Sequence, residues 1–335
     1  MLHIHFTADD RARLRLAERA DPLWETVLSL HQMIRPDPFF AAWRRRTGAG
    51  LAAAGAGADL RLLTTLAPRS SYFPDFLTPS DDDGHPPDVG TGIDRVLSTG
   101  KGRLRTEIGR LASGMPRPPA WLDDFAAGRP RALHRLGDAL RRYHAVALAP
   151  HADRVAADVR RDRNDRARRV LRHGGEAVLG ALGASARWRP PVLEVDYPTT
   201  QHLRLDGRGL TLVPSFFLHD HPIALADPSL PPVLTFPVSR GPLWIPGHAR
   251  REEDGGGRAG TALDDLLGPT RAAVLRSLDT RRTTSALADR LRVSPSAASR
   301  HATTLRRAGL VDTERRGGAV LHSRTALGTA LVHGT

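Results

Sequence analysis

The chain has 335 residues with 40% hydrophobic content, enough for two or three domains and at least one sizeable core. Its formal net charge of +13 favours a polyanionic partner, although Lys101 is the single lysine and so deep an arginine bias also follows from a GC-rich genome. The absence of cysteine excludes disulfides, thiolate metal sites and cysteine redox switches; no secretory leader or run of about 18 apolar residues is visible, so a cytoplasmic protein without membrane attachment is expected.

Leu2, Ile4 and Phe6 alternate with His3 and His5, the period of a strand with one buried face. Thr7 and Asp10 have the spacing of a capping box, and Leu14, Leu16 and Ala17 are expected to extend that helix to Asp21-Pro22. A second helix, Leu23 to Ile34, carries Trp24, Val27, Leu28, Leu30 and Met33. A third follows Pro38 with Phe39, Phe40 and Trp43, and the Arg44-Arg45-Arg46 triplet reads as its solvated end rather than a DNA contact. Gly48 to Gly57 reads as an Ala/Gly connector, Asp59 to Leu66 regains apolar content, and Tyr72, Phe73, Phe76 and Leu77 cluster near two prolines. Ser80 to Gly92 is an acidic, proline-rich loop.

Helical patterns follow over Ile93 to Leu111, Ala120 to Ala127, and Leu133 to Leu182 with a break near Ala149-Pro150. Between Val155 and Arg169 opposite charges recur at i, i+3 and i+4, which supports a long solvent-exposed helix; a dimer arm or a groove lining is the rarer use of such a face. From Arg187 the pattern turns to strands: Val192 to Tyr197, His202 to Leu205, Leu210 to Val213 and Val233 to Phe236, with Asp206-Gly207 and Arg208-Gly209 as a hairpin turn. With Leu2–Phe6 they are expected to form one small sheet against the helices. Arg250 to Gly260 is charged and glycine-rich, as a linker is.

The last segment is the most informative. Leu263 to Leu278 supplies a helix; a second starts at the hydroxyl-rich Thr283, Thr284, Ser285 and carries Leu287, Ala288 and Leu291. Val293 is a buried turn residue, Ser294-Pro295 is a strong helix start, and Pro295 to Ala308 places Ala298, Ala302 and Leu305 on one side. The other side carries Ser296, Ser299, Arg300, Thr303 and Arg307, groups that read base edges and phosphates from a major groove. Gly309 stops this helix; two extended runs around Gly317-Gly318 follow, with Arg315 and Arg316 at the tip, as in a wing. From Asp264 to Thr335 twelve arginines face six acids, which again favours a polyanion.

The order helix, helix-turn-helix, AGLV, basic hairpin is similar to the ArsR-like winged-helix repressors, best in LADRLRVSPSAASRH and LRRAGLV, over about residues 263–332. Ala302 stands where that family usually has leucine, Arg292 where the turn often has glycine, and Leu321-His322-Ser323 where an aromatic often closes the wing. Family metal sensing through cysteine does not carry over. A helical front, strands around LVPSFFL and a terminal winged helix also resemble ArsR-like regulators of actinomycete type whose front half has no assigned activity, which implies a sensory or dimerising role.

Other chemistry is thin. Thr99-Gly100-Lys101-Gly102 fails as a phosphate loop, with Arg95 where the first glycine is required and Gly102 where a hydroxyl is. His3-x-His5 and His219-Asp220-His221 could chelate zinc, but such pairs are more often surface or hydrogen-bonded structure. Phe216, Phe217, Leu218, Phe236, Trp244, Trp24, Phe39, Phe40 and Trp43 could line an apolar effector pocket, though aromatics at these spacings are more often core. The sequence reading is therefore an α+β, mostly helical chain: a helical N-terminal domain (1–186), a β-rich segment packed on it (187–249) that supplies a small β-sheet, a linker (250–262) and a C-terminal winged helix-turn-helix (263–335). The expected function is a non-enzymatic, sequence-specific regulator, in the resembling family a repressor, that binds double-stranded DNA as a homodimer and answers to a small-molecule effector; the alternative is a protein-interaction module with nonspecific DNA affinity. DNA contacts are expected from Ser294, Ser296, Ser299, Arg300, His301, Thr303, Arg307, Arg315 and Arg316, with His301 either on phosphate or packed inward. No catalytic, cofactor or metal residues are expected.

Overall fold

The computed structural model describes residues 1–34, 37–69, 72–80, 86–197, 199–219, 221–239, 263–264, 266–316 and 319–333. The chain forms two compact units, Met1–Arg240 and Gly241–Thr335. The expected linker at 250–262, Trp244, Asp220 and the Gly317-Gly318 turn lie outside the described residues.

In the first unit, β1 (Leu2–His5) leads into α1 (Ala8–Ala12) through the expected capping box: Asp10 accepts from the Thr7 N–H and hydroxyl, and Thr7 Oγ1 accepts from the Asp10 N–H. The helix does not continue to Ala17. It ends at Arg13, and β2 (Leu14–Leu16) follows, because Leu14-Arg15-Leu16 has the period of a strand and pairs in parallel with Leu210–Leu212. Gly209 enables that pairing: its φ is 74°, and a Cβ there would lie 2.6 Å from the Arg13 carbonyl oxygen.

The helical body comprises α2 (Pro22–Ile34), α3 (Ala41–Ala53), α4 (Gly57–Leu66), α5 (Val89–Leu97), α6 (Lys101–Ser113), α7 (Leu122–Ala126), α8 (Pro130–Ala147) and α9 (Ala152–His173). The Gly48–Gly57 connector is a misreading: α3 runs through it to Ala53, since Leu51 is buried. The expected Ile93–Leu111 helix is two, separated at Ser98–Gly100. Helix α8 lies centrally, in contact with α2, α3, α4 and α5, and buries Leu136, Leu140 and Tyr143. Nearly all of α2 is buried, polar groups included: the Glu25 carboxylate accepts from the N–H groups of Phe216 and Phe217 and the Ser215 hydroxyl, and Ser29 bonds Tyr143. Helix α9 spans the charge-patterned stretch but is not exposed all round; Val155, Asp158, Val159, Asp162 and Arg166 form a buried stripe, with Arg166 paired to Asp162 at 2.6 Å.

The strands form two sheets rather than one. The first has the order β3 (Ala186–Arg189), β4 (Val192–Val195), β1, β5 (Gln201–Arg204); the second has β2, β6 (Leu210–Ser215), β8 (Val233–Pro237), β7 (Ile223–Ala224). The residues 206–209 therefore make no hairpin: β5 pairs with β1 in one sheet and β6 with β2 and β8 in the other. Leu2, Ile4, Leu193 and Val195 of the first sheet share a core with Leu210, Leu212, Leu234 and Phe236 of the second. Phe40, Trp43, Phe216 and Phe217 are fully buried against one another, and Trp43 Nε1 donates to the Ala147 carbonyl, so these aromatics are core and not the wall of a pocket.

In the second unit α10 (Pro269–Ser277), α11 (Thr284–Leu291), α12 (Pro295–Arg307) and α13 (Ala326–His333) pack with an antiparallel sheet of order β10 (Val311–Arg316), β11 (Ala319–Arg324), β9 (Arg282–Thr283). Val274, Leu275, Leu278, Leu287, Ala288, Ala298, Leu305, Leu310 and Val311 form its core. Gly328 is fixed by contact, since a Cβ there would meet the Leu310 carbonyl oxygen at 2.1 Å.

Candidate nucleic-acid interface

The pair α11–α12 is built by its caps. Thr283 Oγ1 accepts from the Ala286 N–H, and Arg292 closes α11 in the left-handed region with φ 52°, where the resembling family's glycine would be unstrained. The Val293 N–H then bonds the Ala288 carbonyl and turns the chain. Ser294 caps α12 by accepting from the Ala297 N–H, and Pro295 takes the first helical position, where no donor is needed.

Ala298, Ala302 and Leu305 are the buried face of α12. Ser296, Ser299, Arg300 and Arg307 are exposed, and His301 and Thr303 are half-buried at the margin of the same side. Positions 296, 299, 300, 303 and 307 recur at helical spacing and make one stripe. Arg300 and Arg307 form no ion pair among the described residues. The Ser294 hydroxyl is engaged by its cap and by Ser296 Oγ at 3.0 Å, which leaves it less available than the sequence suggests. Arg292 and Arg306 are also exposed beside this stripe and were not among the expected contacts.

Strands β10 and β11 pair from Val311↔Arg324 to Arg316↔Ala319, which brings Arg315, exposed, and the backbone of Arg316 to the far end of the ladder. His322, an apparent departure from the family pattern, ties this ladder to the helices. Buried, it bonds Thr284 Oγ1 through Nε2 at 3.0 Å and Thr313 Oγ1 through Nδ1 at 3.1 Å. Burial, and then the nearby Arg306, push its pKa below the usual value and favour the neutral ring. The only sequence signal for it was the alternation Leu321-His322-Ser323.

The other expected chemistry disperses. Gly100 caps α6 and Lys101 is an exposed first-turn residue, with no glycine loop before them. His219 pairs with Asp37 at 2.8 Å while His221 packs edge-on to Tyr197, so these two imidazoles serve different neighbours. No helix among the described residues is long and apolar enough to cross a membrane.

Residues 266–314 match the family model of a helix-turn-helix domain, the stretch from the helical turn before α10 into β10. Neither a curated protein nor a solved structure matches the chain. The second unit thus carries a helix-turn-helix domain of the kind that DNA-binding regulators use.

Proposed function

We propose that the chain is a sequence-specific DNA-binding transcriptional regulator of ArsR-like winged-helix type, a cytoplasmic repressor without catalytic activity, in which the first unit senses an effector or holds a homodimer. The observation that carries this reading is the division of α12 into a small buried face and an exposed stripe of serines and arginines that form no ion pair among the described residues. In a two-fold dimer two such helices enter successive major grooves about 34 Å apart, so the operator is a near-palindrome. Arg300 is assigned to a guanine edge or phosphate and Arg307 to phosphate, with Ser296, Ser299 and Thr303 as shorter contacts and His301 at the border of the duplex. Arg315 and Arg316 are assigned to the minor groove or its flank, where β10 and β11 serve as the wing.

The test begins with DNA selected from a random pool by the full chain, followed by fluorescence anisotropy on the selected sequence. Arg300→Ala should weaken binding by about 1–3 kcal/mol and relax preference at one position. Affinity and preference equal to those of the parent would refute the assignment of α12, and salt-sensitive binding with no selected sequence would replace it with a protein-interaction role.

A further inference from the structure

The outer face of the first sheet carries three imidazoles that DNA binding does not use. His3 and His5 point to the same side of β1, while Leu2 and Ile4 point into the core. Strand β5 lies parallel to β1 with His202 opposite His3 and Arg204 opposite His5. The His3 and His202 rings stack at 4.9 Å, and the His5 and His202 rings at 5.4 Å. His5 Nε2 comes to 3.1 Å from His202 Nδ1, a distance at which one nitrogen donates and the other accepts, so a single proton lies between the two rings. On the other flank of β1, Glu194 of β4 stands opposite His3.

We propose that His3, His5 and His202 form a binding site for a divalent transition-metal ion of zinc type. Two nitrogens held at 2.0–2.1 Å by a tetrahedral zinc lie about 3.3 Å apart with their lone pairs meeting at one vertex off the line between them, so the His5–His202 pair stands near the required separation and a rotation of both rings off their shared hydrogen-bond axis admits the ion as the proton leaves. Among the described residues no three ligand-type side chains converge on one point as the rings stand. His3 closes the set by turning out of its stack on His202, a rotamer change open to a half-exposed side chain. An all-imidazole set suits zinc, copper or nickel over calcium or magnesium, and its fourth position is left to water. The pair His3-x-His5 reads as ordinary surface from sequence; the third ring comes from a strand near residue 200, and only the pairing of β1 with β5 brings it there.

The experiment is a calorimetric titration of the full chain, carrying no affinity tag, with zinc chloride. One ion per chain should bind in the micromolar range, and His5→Ala and His202→Ala should each weaken it about tenfold or more with unchanged far-UV circular dichroism. Arg204→Ala, which removes a cation beside the site, should tighten zinc binding, an effect that a merely structural role for the rings would not produce. The proposal is overturned if the parent binds no zinc in that range, or if the His5→Ala/His202→Ala double variant binds it as tightly as the parent.

Discussion

A single carboxylate, Asp10, serves two distant parts of the chain: it caps α1 through Thr7 and accepts the Gly209 N–H at 2.9 Å. Its burial acts to raise the pKa, but the hydrogen bonds from Thr7 and Gly209 outweigh this and hold it below the usual carboxylate range. Asp10→Ala leaves the buried Gly209 N–H unpaired and removes the part-buried cap on Thr7, and should cost about 1–3 kcal/mol in urea unfolding. His31 gives a pH dependence with a definite sign. Burial first, then Arg69, push its pKa down to about 4. The unfolded chain, near 6.5, takes up the proton first, so the stability is whole above pH 6.5 and is lost as pH falls toward 4, about 3 kcal/mol over that window. Asp75 opposes it: burial raises its pKa to about 6 against hydrogen bonds from the Ala226 and Asp227 N–H groups, so its contribution falls as pH rises from about 4 to 6. The two nearly offset each other in the parent, so between pH 7 and 4 the stability of His31→Leu should rise toward acid relative to the parent, while that of Asp75→Asn should fall more steeply; parallel curves for all three proteins would exclude both assignments. The Thr7–Asp10 cap was legible because its partners are three residues apart. The roles of Gly209 and His322 were not, because each depends on a strand that arrives from elsewhere.

Elements with local causes were the legible ones. Thr283, Ser294-Pro295 and Gly309 set the ends of α11 and α12 through their own chemistry, and those ends appear where the residues place them. Leu14–Leu16 misled because a pairing with β6 two hundred residues later overrides its position just after a helix. Two substitutions probe the helix-turn-helix directly. Arg292 sits in a left-handed conformation that costs a residue with a Cβ about 1 kcal/mol, so Arg292→Gly should raise the thermal midpoint of this unit by about 4 °C. A fall would show that the arginine stem contributes packing. Ala302 is fully buried, so Ala302→Leu should overfill the contact of α12 with the core and cost about 1–3 kcal/mol.

For the whole molecule, the charge of the sequence was a sounder guide to partner class than to mechanism. Twelve arginines against six acids in the last 72 residues imply counterion release on DNA. Removing Arg315 and Arg316 together should weaken binding to every sequence and lower the slope of log affinity against log salt by about 2, measured by anisotropy across a salt series; an unchanged slope would remove the hairpin from the interface. The two-sheet arrangement was beyond the sequence reading, since short strands fix their faces but not their partners. Strand β1 lies between β4 and β5, paired with residues 192–195 on one side and 201–204 on the other. During translation the opening tetrapeptide must therefore wait, unmatched, until most of the first unit has left the ribosome. A fragment ending at residue 186 would lack both neighbours of that strand, and chaperone dependence should concentrate in the interval before they emerge.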